Sequence, residues 1–88
     1  MKVVFRQSFE RDLKKIKDRS MLDRVRQVIE LIEAADNLQG MPNVKKLTGS
    51  KSFFRIRIGE YRIGIFLDAD EVEFVRCLHR RDMYRYFP

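Results

Sequence analysis

The stretch FFRIRIGEYRIGIF, residues 53–66, alternates apolar with charged or small residues on both sides of Gly59-Glu60. Period-two alternation suits a half-buried strand, whose successive side chains point to opposite faces. A two-residue loop with glycine first is the pattern of a type II′ hairpin. The register follows from the loop: Ile58 lies opposite Tyr61, Arg57 opposite Arg62, Ile56 opposite Ile63, and Arg55 opposite Gly64. Phe54, Ile56, Ile58, Ile63 and Ile65 then share one face, and Arg55, Arg57, Arg62 and Gly64 share the other. A slip of one residue would scatter the arginines.

That arrangement works against stability. Like charges directly opposite each other on a sheet cost up to about 1 kcal/mol. Gly64 weakens its strand while removing a side chain from beside the cations. A solubilising charged face is the simpler reading. Opposed arginines around a glycine point instead to a shallow basic pocket left open for a phosphate.

The remaining chain predicts a β-α-α-β-β-β order. KVVF, residues 2–5, is a short strand; Ser8 then caps a helix with Phe9, Leu13 and Ile16 on one stripe. Ser20 and Asp23 have the spacing of a capping box for a second helix running to about Ala35, striped by Leu22, Val25, Ile29 and Ile32. From Asp36 to Lys51 periodicity stops, and Gly40, Pro42, Asn43 and Gly49 punctuate a long connection. It delivers Lys45, Lys46 and Lys51 just ahead of the hairpin. A last strand over 72–79 follows the acidic turn at 68–71. The fold class is α+β: a helical hairpin packed on one face of a small, mainly antiparallel sheet, with the other face open.

Eighty-eight residues, 44% of them hydrophobic, make one domain spanning 1–88 with one modest core. The single cysteine, Cys77, excludes an internal disulfide framework and suits a reduced compartment. There is no HExxH or CxxC, and no carboxylate cluster on the basic face, so neither metal nor cofactor is expected. The N-terminal apolar run is too short for a signal peptide, and no window approaches the roughly 20 apolar residues of a membrane span. A cytoplasmic protein with no membrane association is expected. The net charge of +6 favours a polyanion or an acidic protein as partner.

The stretch CLHRRDMYRYFP, residues 77–88, supplies further chemistry. His79, Arg80 and Arg81 leave the last strand beside the open face, and Tyr84, Arg85 and Tyr86 follow. Histidine and tyrosine exchange protons, arginines hold phosphate oxygens, and an aromatic ring stacks on a base. Each has a plainer alternative: a hydrogen-bonded strand end for His79, and tail packing for the tyrosines. Phe87 reads as packing the tail onto the sheet.

The segments K-L-x-G, R-x-R-x-G-x-Y-R and H-R-x-x-x-Y, set in this order of elements, resemble the RelE/ParE superfamily of toxins from bacterial and archaeal toxin–antitoxin modules. The resemblance covers essentially the whole chain. In the RelE branch it implies a ribosome-dependent mRNA interferase, in which the ribose 2′-hydroxyl attacks the adjacent phosphate without a metal. By position it implies that Arg55 and Arg57 are the paired basic residues of the second strand, Arg62 the third-strand arginine, Arg80 the arginine after the last strand, and Tyr84 or Tyr86 the C-terminal tyrosine. Joined to the side-chain chemistry above, the expected catalytic residues are Arg57, Arg62, Arg80, His79 and Tyr84, and the expected RNA contacts Arg55, Lys45, Lys46, Lys51, Arg81, Arg85 and Tyr86. Arginines stand where lysines are usual in the second strand; arginine clamps phosphate but transfers protons poorly. That shifts proton transfer to His79, a tyrosine or a loop lysine. With the sequence stopping at Pro88, the C-terminal helix of some members should be very short or absent. The implied partners are mRNA, the ribosome and an acidic RelB-like antitoxin, joined with the toxin in a hetero-oligomer. The ParE branch implies instead a non-catalytic inhibitor of DNA gyrase.

Overall fold

Five strands form one sheet in the order β1-β5-β4-β3-β2 in the computed structural model, which describes residues 1–49 and 52–88. The elements are β1 (Lys2–Phe5), α1 (Gln7–Lys14), α2 (Arg19–Ala34), β2 (Val44–Lys46), β3 (Phe53–Ile58), β4 (Tyr61–Asp68), β5 (Glu71–His79) and α3 (Arg80–Tyr86). β1 runs parallel to β5, and the other pairings are antiparallel. The expected hairpin register is the observed one, from Ile58 opposite Tyr61 through Arg57 opposite Arg62 to Arg55 opposite Gly64. Of the two loop residues only Gly59 takes a positive φ, +55°, as a type II′ turn requires.

α1 and α2 cover the isoleucine face. Phe9, Ile16, Met21, Val25 and Ile32 meet Ile56, Ile58, Ile63, Ile65, Val72 and Phe74 in the main core. Both helices start differently from the sequence expectation. Asp18, not Ser20, caps α2, accepting hydrogen bonds from the Ser20 and Met21 amides at 2.9 and 3.3 Å. A carboxylate two residues upstream takes the amides that a Ser20 cap would have left exposed, and Asp23 pairs with Arg26 at 3.2 Å. Ser8 lies inside α1, where its hydroxyl donates to the Val75 carbonyl at 2.6 Å.

That bond belongs to a seal along β5. β1 pairs only with Glu71 to Phe74, which leaves the next stretch of β5 with a bare edge. The Asp12 carboxylate of α1, 4% exposed, accepts from the Cys77 amide at 2.9 Å and from Arg76 Nε and Nη2 at 2.8 and 3.1 Å. The Asp12 bond raises the Arg76 guanidinium above its usual pKa.

Two elements depart from the expected order. β2 lies within the segment expected to be a loop, and it exists through pairing with β3, Val44 opposite Ile56 and Lys45 opposite Arg55. α3 begins directly after β5, with the His79 ring accepting from the Arg81 amide at 3.3 Å. The second face of the sheet is therefore not fully open. Val75, Met83 and Phe87 form a smaller core there, with Leu47, Phe53, Phe66 and Leu78 against it. Phe87 packs as expected, but it fills the space beside Gly64: a Cβ on Gly64 would sit 2.5 Å from its ring. Gly64 makes room for a phenylalanine, not for a phosphate. Among the described residues no helix is long and apolar enough to cross a membrane.

Candidate nucleic-acid interface

Three adjacent strands place cations in register on the α3 side of the sheet. Lys45 of β2 lies opposite Arg55 of β3, and Arg57 of β3 opposite Arg62 of β4. With Asn43, Val44 and Tyr84 they line a hollow of about 470 Å³. Its walls are held by neutral acceptors. Arg62 Nη1 donates to the Gly59 and Tyr61 carbonyls at 2.8 and 2.9 Å. The Arg57 amide donates to the Asn43 carbonyl at 3.0 Å, and Arg57 Nη2 to Asn43 Oδ1 at 3.3 Å. Among the described residues no carboxylate pairs with Lys45, Arg55, Arg57 or Arg62. The positive charge is left for something outside the chain.

Tyr84 projects from α3 over this hollow, with the Arg55 guanidinium carbon 4.6 Å from its ring centroid. A hydrogen bond from Arg55, then its charge, hold the phenol below its ordinary pKa against an opposing cost of burial; Arg62 and Lys45 add lesser contributions in the same direction as Arg55. Cations that stabilise a phenolate can also stabilise the charge on a phosphate, so the hollow sets a polarised phenol beside cations suited to an anion.

Other candidates lie elsewhere. His79 sits opposite Tyr61, which sits opposite Ile58, so His79 belongs to the helix-covered face and stacks edge-on to Tyr61 at 5.8 Å. With Arg81, Tyr86, Asp12 and Arg76 it lines a separate hollow of about 580 Å³. That hollow is larger but of mixed charge, since Asp12 and Asp82 offset its cations. Arg80 pairs with Glu60 at 3.0 Å, next to the arginine hollow and outside it. Lys46 lies opposite Phe54 and so faces away from Lys45. Arg85 is exposed, its guanidinium carbon 6.0 Å from the Tyr86 ring centroid. Lys51 lies outside the described residues. Cys77 is no nucleophile: burial, then the Asp12 charge, push its thiol up to about 12. Sequence reasoning misses Asn43, whose positive φ of +66° turns the chain into β2. Its place after Pro42 marks a turn but gives no hint that it holds Arg57.

The family described as the ParE toxin of the type II toxin-antitoxin system, parDE, matches residues 3–84. Toxin RelE3 of Methanocaldococcus jannaschii is 38% identical over the whole of both chains. This chain belongs to the RelE/ParE toxin superfamily. It is a toxin of a toxin–antitoxin system. Among solved structures, the RelB-RelE antitoxin-toxin complex from Methanococcus jannaschii contains a chain that superposes with a TM-score of 0.82 at 35% identity, over 97% of this toxin and 99% of that chain. The YoeB dimer from Staphylococcus aureus shares the fold at 18% identity, with a TM-score of 0.73 over 91% of this toxin and 97% of that chain. The RelE/ParE toxin therefore has the α+β scaffold of its relatives, with its own cations displayed on it.

Proposed function

We propose that this toxin is an endoribonuclease that arrests translation by cleaving mRNA on the ribosome. The observation that carries the reading is Tyr84, a phenol with a lowered pKa held over a hollow of four cations without carboxylate partners. A surface that only binds has no need of a polarised phenol. In the proposed reaction the O2′–P bond forms as the P–O5′ bond breaks, leaving a 2′,3′-cyclic phosphate and a 5′-hydroxyl. Tyr84, as the phenolate, accepts the 2′ proton, and water protonates O5′. Arg55, Arg57, Arg62 and Lys45 neutralise the charge that builds on the phosphoryl oxygens. The proposal assigns no step to His79, on the opposite face, and keeps Arg80 outside the reacting hollow. The relative solved with RelB supports a cognate antitoxin as the protein partner.

A second reading, a gyrase inhibitor without catalysis, is favoured by the ParE description of the matching family. The two separate in one experiment, in which purified toxin is added to translating ribosomes and, in parallel, to gyrase with supercoiled DNA. The proposal expects mRNA fragments ending in cyclic phosphate, untouched DNA, and a rate roughly 100-fold to 1000-fold lower for Arg62→Ala, as for loss of one preorganised donor. Intact mRNA with gyrase-dependent DNA breaks would overturn it.

A further inference from the structure

A second hollow of about 400 Å³ lies beside the first and shares Asn43, Arg57 and Arg62 with it. Arg24 of α2 and Arg80 of α3 form its other walls. Arg24 reaches the turn closely: a Cβ on Gly59 would lie 2.9 Å from Arg24 Nη1. Among the described residues, Glu60 is the one carboxylate lining the hollow with these four arginines. Its Oε2 forms an ion pair with Arg80 Nε at 3.0 Å and lies 4.0 Å from His79 Nε2. Among the described residues no carboxylate pairs with Arg24.

We propose that this second hollow seats the phosphate next to the reacting one in single-stranded RNA, with Arg24 and Arg80 as its ligands, and that Glu60 occupies Arg80 until RNA arrives. The inference rests on the RNA-cleavage reading. Two hollows that share a wall of two arginines hold anions that are neighbours, and successive phosphates of one strand are such a pair. Forked guanidiniums match phosphate oxygens in a way that one exposed carboxylate does not exhaust. The Glu60–Arg80 pair is well exposed on both sides, so solvent screening makes it easy to open. Glu60 then acts as a stand-in anion: it keeps Arg80 in place while the seat is empty and yields it to the incoming phosphate. Arg24 becomes an RNA-binding residue from a helix that otherwise serves the core.

The test compares two RNAs carrying a 2′-deoxy sugar at the nucleophilic position: a dinucleotide with one phosphate and a trinucleotide with two. Binding is measured by calorimetry over a range of salt. Arg24→Ala should weaken the trinucleotide several-fold and leave the dinucleotide unchanged. Its log–log salt slope for the trinucleotide should become shallower by about 0.7, the change expected when one fewer phosphate of a single strand is neutralised. Arg24→Lys should recover part of the loss, and Glu60→Gln should tighten the trinucleotide alone. Arg24 is exposed, and circular dichroism checks that its variants fold. Equal effects of Arg24→Ala on both probes, or none on either while Arg62→Ala weakens both, would overturn the second seat and leave the first standing. Loss of antitoxin affinity alone would assign the hollow to the protein partner and overturn the proposal. Unchanged trinucleotide affinity in Glu60→Gln would remove Glu60 from it. Wild-type toxin that binds neither probe would overturn the RNA reading as well.

Discussion

Tyr84 and Asp12 show how ionisable side chains take opposite tasks according to exposure. Tyr84 is 78% exposed, and its acidity is set first by Arg55, against a lesser opposing cost of burial. Arg55 is the chief cause, and its removal should return the phenol towards its ordinary value near 10. If the phenolate accepts the 2′ proton, the active form exists above the Tyr84 pKa, and the cleavage rate rises with pH until that pKa is passed. Single-turnover cleavage against pH should show this rising limb below the ordinary phenol range, shifted upwards in Arg55→Gln, absent in Tyr84→Phe and unmoved in His79→Ala. A limb that stays put without Arg55 would deny Tyr84 the role. Asp12, by contrast, spends its charge inside the fold on Arg76 and the Cys77 amide. Asp12→Ala leaves a buried amide without its acceptor and Arg76 without its counter-ion, which should cost about 3 kcal/mol, the lower end for breaking a buried pair because Arg76 is partly exposed. Urea unfolding would show it as a lower midpoint at unchanged slope.

At the scale of elements, the hairpin is legible in the sequence and its surroundings are not. Alternation through Arg55, Arg57 and Arg62 fixes their common face, because a slip of one residue would turn the isoleucines of one strand, Ile56 and Ile58 or Ile63 and Ile65, away from the core. β2 has three residues, two of them lysines, and is a strand only because β3 offers an edge. α3 has seven residues and one buried anchor, Met83, too little for a helical stripe to register. Placing His79 from sequence needs the β4–β5 register, and the irregularity at Gly64/Ile65 inserts Val75 and breaks simple counting along β5. Gly64 stands out in the sequence for the right reason, a missing side chain, but the occupant of its space comes from the far end of the chain. That contact gives a test of how α3 is anchored. Gly64→Ala should cost about 1–3 kcal/mol by overpacking against Phe87, and Phe87→Ala about 3 kcal/mol or more by leaving a cavity. In the double variant the alanine methyl occupies part of the vacated space, so the combined cost should fall short of the two single costs. Strict additivity in thermal or urea unfolding would mean that the two residues do not share that space.

For the whole molecule, charge is sorted along the strands as well as between faces. The arginines lie towards the Gly59 end, while Asp68, Asp70 and Glu71 mark the opposite turn, a strand length away across β4. Eight residues of strand span roughly 26 Å, several screening lengths at physiological salt, so the two ends present separate fields to an approaching partner. An acidic antitoxin segment would be drawn to the basic end first and settle its apolar side chains afterwards, against exposed groups such as Phe5 and Leu31. If that segment is disordered when free, folding on the toxin lets a short chain cover both regions, at an ordering cost of a few kcal/mol. Steering and docking then respond to salt differently. The association rate should fall steeply, about tenfold or more, as salt rises from 0.01 to 0.15 M and the screening length contracts from about 30 to about 8 Å. The dissociation rate, governed by the docked apolar groups, should change far less. Stopped-flow mixing of toxin and antitoxin across that salt range measures both. An association rate flat in salt would mean that the net charge of +6 plays no part in finding the antitoxin, leaving nucleic acid as the polyanion for which the basic end is built.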